Sequence, residues 1–252
     1  MKSSSYIHEK GRLVIEDKEY QDPKEEIKEL KSELAELIAE RDDLNHNGRP
    51  KVEAMYLFEF GDLKLELFHA EINVIRLKRI VHYIQTEIMN GRRYDREKIE
   101  KRADSEISGY RMNGDILTGK VFAAKENVEA NKFSLNQNYI SEYRKIIECL
   151  CPDSSIEANP ERKALWHRAQ SAFVQHDLED LREVLSISKS INIDLSDNED
   201  FLLARIVDLK STINKVKNQI DMIRSEFPLV FAHLIDDKNW VKSEKIKIQE
   251  SI

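Results

Sequence analysis

From residue 22 onward, apolar residues recur at alternating intervals of three and four, the spacing of one face of an α-helix. Ile27, Leu30, Leu34, Leu37 and Leu44 form the first such series, with Arg41 interrupting it. Asp22-Pro23-Lys24-Glu25 stands in front of that series. Asp accepts from the unpaired first amides of a helix, Pro fits the first helical position, and Glu suits the first turn. A helix is therefore predicted from Pro23, broken at Asn45-His46-Asn47-Gly48-Arg49, with Pro50 opening the next. That second helix carries ten consecutive apolar seam positions: Tyr56, Phe60, Leu63, Leu67, Ala70, Val74, Leu77, Val81, Ile84 and Ile88. A seam so sustained predicts coiled-coil packing. Leu65, Phe68, Ile72 and Ile75 widen the apolar face, so more than one neighbour is expected. Asn90-Gly91 ends the helix, and a polar helix is expected from Asp95.

Residues 109–132 hold three glycines and little periodicity, which predicts a linker. A short helix follows from Asn138 to Leu150. Asn159-Pro160 then caps another, containing Leu165, Trp166, Ala169, Ala172 and Phe173. Ser196-x-x-Glu199 reads as a capping box before the last long helix. Its seam has eight apolar positions from Leu202 to Phe227, which makes it the expected partner of the second helix. Pro228 stops it, and an amphipathic segment around Trp240 closes the pattern. The expected fold is all-α and elongated. It divides into a polar N-terminal arm (1–22), coiled-coil helices (23–108), a linker (109–132), a helical hairpin (133–190) and a C-terminal coiled-coil helix with its tail (196–252).

Composition narrows the chemistry. Gly and Pro together are about 5% of the chain, against roughly 12% in average usage, which excludes a turn-rich β sandwich. The glycine patterns of dinucleotide and P-loop sites are missing, as are the H-E-x-x-H and G-x-S-x-G motifs. His8, His46, His69, His82, His167, His176 and His233 are scattered without the i, i+4 pairing of a metal helix. Cys149-x-Cys151 lacks a second cysteine pair for zinc and is too closely spaced for an unstrained disulfide. The acidic run from Asp194 to Asp200 lacks the glycine and final glutamate of a calcium loop, so helix capping accounts for it. No catalytic residue, metal or cofactor is expected, and the protein is read as non-enzymatic. The start at Met1 lacks a signal-peptide core, no membrane span is seen, and a reducing, cytoplasmic setting is expected.

Net charge is −7, but residues 76–102 carry nine Lys/Arg against four Asp/Glu, a net +5. Such a stretch suits phosphate backbone. Only Tyr83 and Tyr94 are available there for stacking, so a solvated face paired with acidic neighbours is preferred and nucleic acid is not the expected partner.

Tyr143-Arg144-Lys145, then Ile146 to Leu150, then Cys151-Pro152-Asp153 resembles the second helix and signature loop of J domains, which read Y-R-K and later H-P-D. Trp166, Ala169, Ala172 and Phe173 fall at the spacing of the third J-domain helix, F-x-x-I-x-x-A-Y. More loosely, Glu40 to Leu44, Leu63 to Gln85 and Phe227-Pro228 leading to Trp240-Val241 are similar to bacterial J-domain-containing proteins. In those, a J-like hairpin lies between coiled-coil helices. The resemblance implies a protein-protein interaction role, as a chaperone-related adaptor or scaffold. Its implied partner is a DnaK-type heat-shock chaperone, and its implied contact residues are Tyr143, Arg144, Lys145, Cys151, Pro152 and Asp153.

Three departures qualify what is implied. Cys151 replaces the histidine of the ATPase-triggering tripeptide, and a thiol is only a weak hydrogen-bonding group. Residues 133–150 set Arg144 and Lys145 against Glu142 and Glu148, a net of zero where the family is strongly basic. No family-like first helix precedes Asn138. Normal chaperone stimulation is therefore not expected. The alternative is a purely structural coiled-coil subunit, with the seam from Tyr56 to Ile88 as an intra-chain or homo-oligomer interface.

Overall fold

The computed structural model describes residues 22–130, 137–150, 159–190 and 198–252, and every regular element among them is helical. The fold is all-α. The polar arm read at 1–22 falls, apart from Asp22, outside the described residues. Helix α1 (Pro23–Asp43) opens under Asp22, whose carboxylate accepts from the Lys24 amide at 3.1 Å. The break expected at Asn45–Arg49 does not occur. Leu44–Gly48 instead form one π-helical turn that runs directly into α2 (Arg49–Met89). The Arg49 amide bonds back to the Leu44 carbonyl, five residues away. Asn47 explains why an Asn-Gly pair stays helical here. Its side chain donates to Asp43 at 2.8 Å and lies 2.9 Å from the His176 ring, so its polar atoms are satisfied without a turn.

The chain continues through α3 (Arg96–Glu106), α4 (Ser108–Glu129), α5 (Gln137–Leu150), α6 (Pro160–Val174) and α7 (Leu178–Ser190). It then forms α8 (Glu199–Ser225), a 3-10 turn at Leu229–Phe231, and α9 (Lys238–Ser251). Asp95, Asn159, Asn198 and Asp237 cap α3, α6, α8 and α9 through their side chains. The cap of α8 is thus Asn198; Ser196 lies outside the described residues.

Two bodies of packing hang on the α1–α2 rod. In the first, α1 meets α5 and α8, and α6 and α7 pack on α5, around Ile27, Leu34, Ile146, Phe173, Leu181 and Leu209. Helix α8 therefore packs on α1, which corrects the expectation that it pairs with α2. The two helices run the same way. Glu26, Glu33 and Glu40 pair with Lys210, Lys217 and Arg224, each pair seven residues beyond the last. An apolar seam states that a helix has a face to cover; here the matching rows of opposite charge accompany the choice of cover.

In the second body, α2 is covered on three sides. Tyr56 and Phe60 pack with Phe231, Ile235, Trp240, Val241 and Ile248, so α9 and the 3-10 turn occupy the first half of the seam. Ile80 and Ile84 pack with Ile99 and Ala103 of α3. Ala54 and Leu57 pack with Val121 and Ala124 of α4. The segment expected as a linker at 109–132 is thus helical over Ser108–Glu129 and lies antiparallel along α2. Its contact face is built partly from absent side chains, which a hydrophobic pattern cannot register. A Cβ on Gly61 of α2 would sit 2.7 Å from a Val121 methyl. A Cβ on Gly114 would sit 3.1 Å from the Phe68 ring.

Candidate functional site: the hairpin and the α2 surface

In the α5–α6 hairpin, the Tyr143 ring lies against Phe173 (centroids 4.2 Å apart) and Trp166 (6.0 Å), and Tyr139 stacks on Phe173 at 4.8 Å. Tyr143 is fully buried. Its hydroxyl donates to Asp42 Oδ2 at 2.8 Å, and Arg41 Nε donates to the other Asp42 oxygen at 2.8 Å. Burial, reinforced by the Asp42 charge, pushes the Tyr143 phenol well above its ordinary value. Tyr143, expected as a contact residue, is therefore a core residue in this structure. Tyr139 is also buried and its phenol is likewise raised by burial. Its hydroxyl has no hydrogen-bond partner in the structure.

Arg144 is paired with Glu36 of α1, and Lys145 sits 3.2 Å from Glu142 one turn earlier on its own helix. Both remain partly exposed. Cys151, Pro152 and Asp153 lie outside the described residues. Cys149 is half-buried, and burial followed by the Glu148 charge raises its thiol, keeping it protonated. Arg162 donates to the Leu150 carbonyl, which ties the start of α6 to the end of α5. Asp42, the anchor of the stack, is a residue that sequence reasoning missed. Its available signal is the interruption of the α1 seam at Arg41, where polar residues stand in a row that is otherwise apolar.

The basic stretch at 76–102 is largely neutralised in place. Arg76 makes two hydrogen bonds to Asp104, at 2.7 and 3.2 Å. Arg79 and Arg102 face Glu106, Arg96 faces Glu100, Lys98 faces Asp95 and Lys101 faces Glu97. Hydrogen bonding from Arg76 holds Asp104 below the usual carboxylate range, and hydrogen bonding from Tyr83 does the same for Glu106. Among the described residues, Lys78, Arg92 and Arg93 are the cations of this stretch with no carboxylate partner. Little unpaired positive charge is left to hold a phosphate backbone.

The second half of the α2 seam has a different fate from the first. Beyond Leu67 the seam leaves the α9 cluster, and Val74, Leu77, Val81 and Ile88 are 47, 49, 51 and 59% exposed. Ile84 between them turns toward α3. Glu66 and Glu71 border the nearer part of this stripe and Lys78 the middle, all exposed and without an ion pair among the described residues. An open groove of about 670 Å³ lies where α9 meets Glu59 of α2. Lys245 there bonds Glu59 at 2.6 Å. No group of three His, Cys, Asp or Glu side chains placed to hold a metal occurs among the described residues, and no described helix is long and apolar enough to cross a membrane. No protein-family model, curated protein or solved structure matches this chain.

Proposed function

We propose that this protein is a non-enzymatic, cytoplasmic interaction scaffold, and that the distal face of α2 is its protein-contact surface. The observation that carries this reading is the seam used twice. One continuous row of apolar residues is covered by the chain's own α9 as far as Leu67; beyond it Val74, Leu77, Val81 and Ile88 lie bare, while Ile84 packs on α3. A bare apolar row bordered by charge is the usual character of a protein-contact surface. Replacing Leu77 or Val81 by Asp tests it. Such variants are expected to keep their helical content and to lose the proteins that co-purify with the wild-type chain from its native host. Unchanged co-purification would refute the assignment.

A second reading, the chaperone-related adaptor with a degenerate J-like hairpin, is favoured by one arrangement. Tyr143, Trp166, Ala169, Ala172 and Phe173, the residues that carry the resemblance, share one buried cluster where α5 and α6 pack. The thiol of Cys151 and the electrically neutral α5 argue against normal stimulation. The ATPase rate of a DnaK-type chaperone should not change with the wild-type protein and should rise with Cys151→His. No rise with Cys151→His would reduce the hairpin to packing alone.

A further inference from the structure

We propose that the occupant of the bare α2 face is a second copy of this chain, with the two α2 helices antiparallel and Glu71 of each copy beside Lys78 of the other. The inference rests on the reading of this face as an interaction surface. Two identical helices related by a two-fold axis must present self-complementary faces, and the charges bordering the stripe decide how. In heptad terms Glu66 and Glu71 occupy the flanking positions that meet across a parallel pair, so a parallel dimer would set carboxylate against carboxylate twice. In an antiparallel pair, Val74 of one copy layers on Leu77 of the other and Ala70 on Val81. Glu71 then falls opposite Lys78, also twice.

Packing within the chain agrees with that choice. Helix α9 already occupies the seam up to Leu67, and α3 lies along the Ile80 flank. A parallel pair would bring both α9 helices, with the helices packed around them, side by side at one end. An antiparallel pair sends these bodies to opposite ends and leaves the bare stripes to meet in the middle. Glu71 and Lys78 are also unlike Arg76 and Arg79 beside them, whose charges are matched inside the chain by Asp104 and Glu106. Glu71 and Lys78 make no ion pair among the described residues, and the second copy would supply one for each.

Sedimentation equilibrium on the full chain across the micromolar range tests this. The wild type is expected to dimerise, and Val81→Asp to be monomeric with an unchanged far-ultraviolet circular dichroism spectrum. Glu71→Lys and Lys78→Glu, each alone, should weaken association about tenfold, since each replaces two attractive contacts by two repulsive ones. An equimolar mixture of those two single variants should recover association, because each chain then supplies the charge the other lacks. A monomeric wild type, or a mixture no tighter than its components, would overturn the antiparallel dimer. If the wild type is monomeric but Val81→Asp still abolishes capture of a different protein, the dimer falls and the scaffold reading stands. If Val81→Asp alters neither, both fall.

Discussion

The hydroxyl of Tyr143 donates a 2.8 Å hydrogen bond to Asp42, so the aromatic stack of the α5–α6 hairpin is anchored on the last turn of α1. Asp42 is itself buried, and losing the phenol would leave one of its oxygens without a partner. Tyr143→Phe is expected to lower unfolding free energy by about 1–3 kcal/mol in urea titration. An unchanged midpoint would mean the bond contributes nothing. The pH dependence has a definite sign. Burial raises the folded-state phenol pKa, so the stability it confers is complete below the ordinary phenol value near 10 and is lost as pH rises beyond it. The wild-type melting temperature should fall above about pH 10, and that of Tyr143→Phe should fall less steeply. Equal slopes would remove Tyr143 as the source.

Glycines on facing helices give a paired prediction of opposite sign. A Cβ at Gly61 would meet two Val121 methyls at 2.7 and 2.8 Å, while a Cβ at Gly119 would meet nothing within 4 Å. Gly61→Ala should destabilise, because overpacking costs about 1–3 kcal/mol and the helix gains only about 1 in return. Gly119→Ala, in the same α4 that Gly61 contacts, should stabilise by about 0.5–1 kcal/mol. Chemical denaturation of both variants checks the close approach of α2 and α4. A stabilising Gly61→Ala would mean that the two helices lie further apart than described.

The row of ion pairs between α1 and α8 predicts salt-sensitive coupling. Lys217 Nζ is 2.6 Å from Glu33, and both side chains are nearly half exposed, so the pair is worth only about 0.2–1 kcal/mol. Glu33→Lys should destabilise, and adding Lys217→Glu should restore most of the loss. A double-mutant cycle measured at low and high salt would show the coupling shrink with ionic strength. A zero coupling energy at low salt would show that the parallel register of α1 and α8 is set by the apolar seam alone.

Much of the element order is legible in the residues themselves. Asp22, Asn159 and Asn90-Gly91 mark helix ends because their local chemistry is sufficient there. What escapes such a reading is decided by tertiary partners. Asn45 to Gly48 have the composition of a break, yet Asp43 and His176 satisfy Asn47 and hold the turn helical. Helix α4 has the look of a linker because its glycine contact with Phe68, and the contact of Val121 with Gly61, leave no periodic trace. The pairing of α8 with α1 is written in charges at seven-residue steps rather than in either apolar seam. At the candidate site, the spacing of Tyr143, Trp166 and Phe173 foretells that they meet. It does not foretell that Tyr143 meets them inside a core.

The turn at Leu44–Gly48 does more than join two helices. Each residue of a helix advances the chain by about 100° around its axis, so the wider turn offsets everything after Gly48 by an angle of that order. Pro23 to Met89 then act as a single crankshaft, with one throw directed at the α5–α8 body and the other at α4 and α9. The bearing of one half of the molecule on the other is thereby indexed by a count of residues in an unbroken helical shaft, with no loop between them.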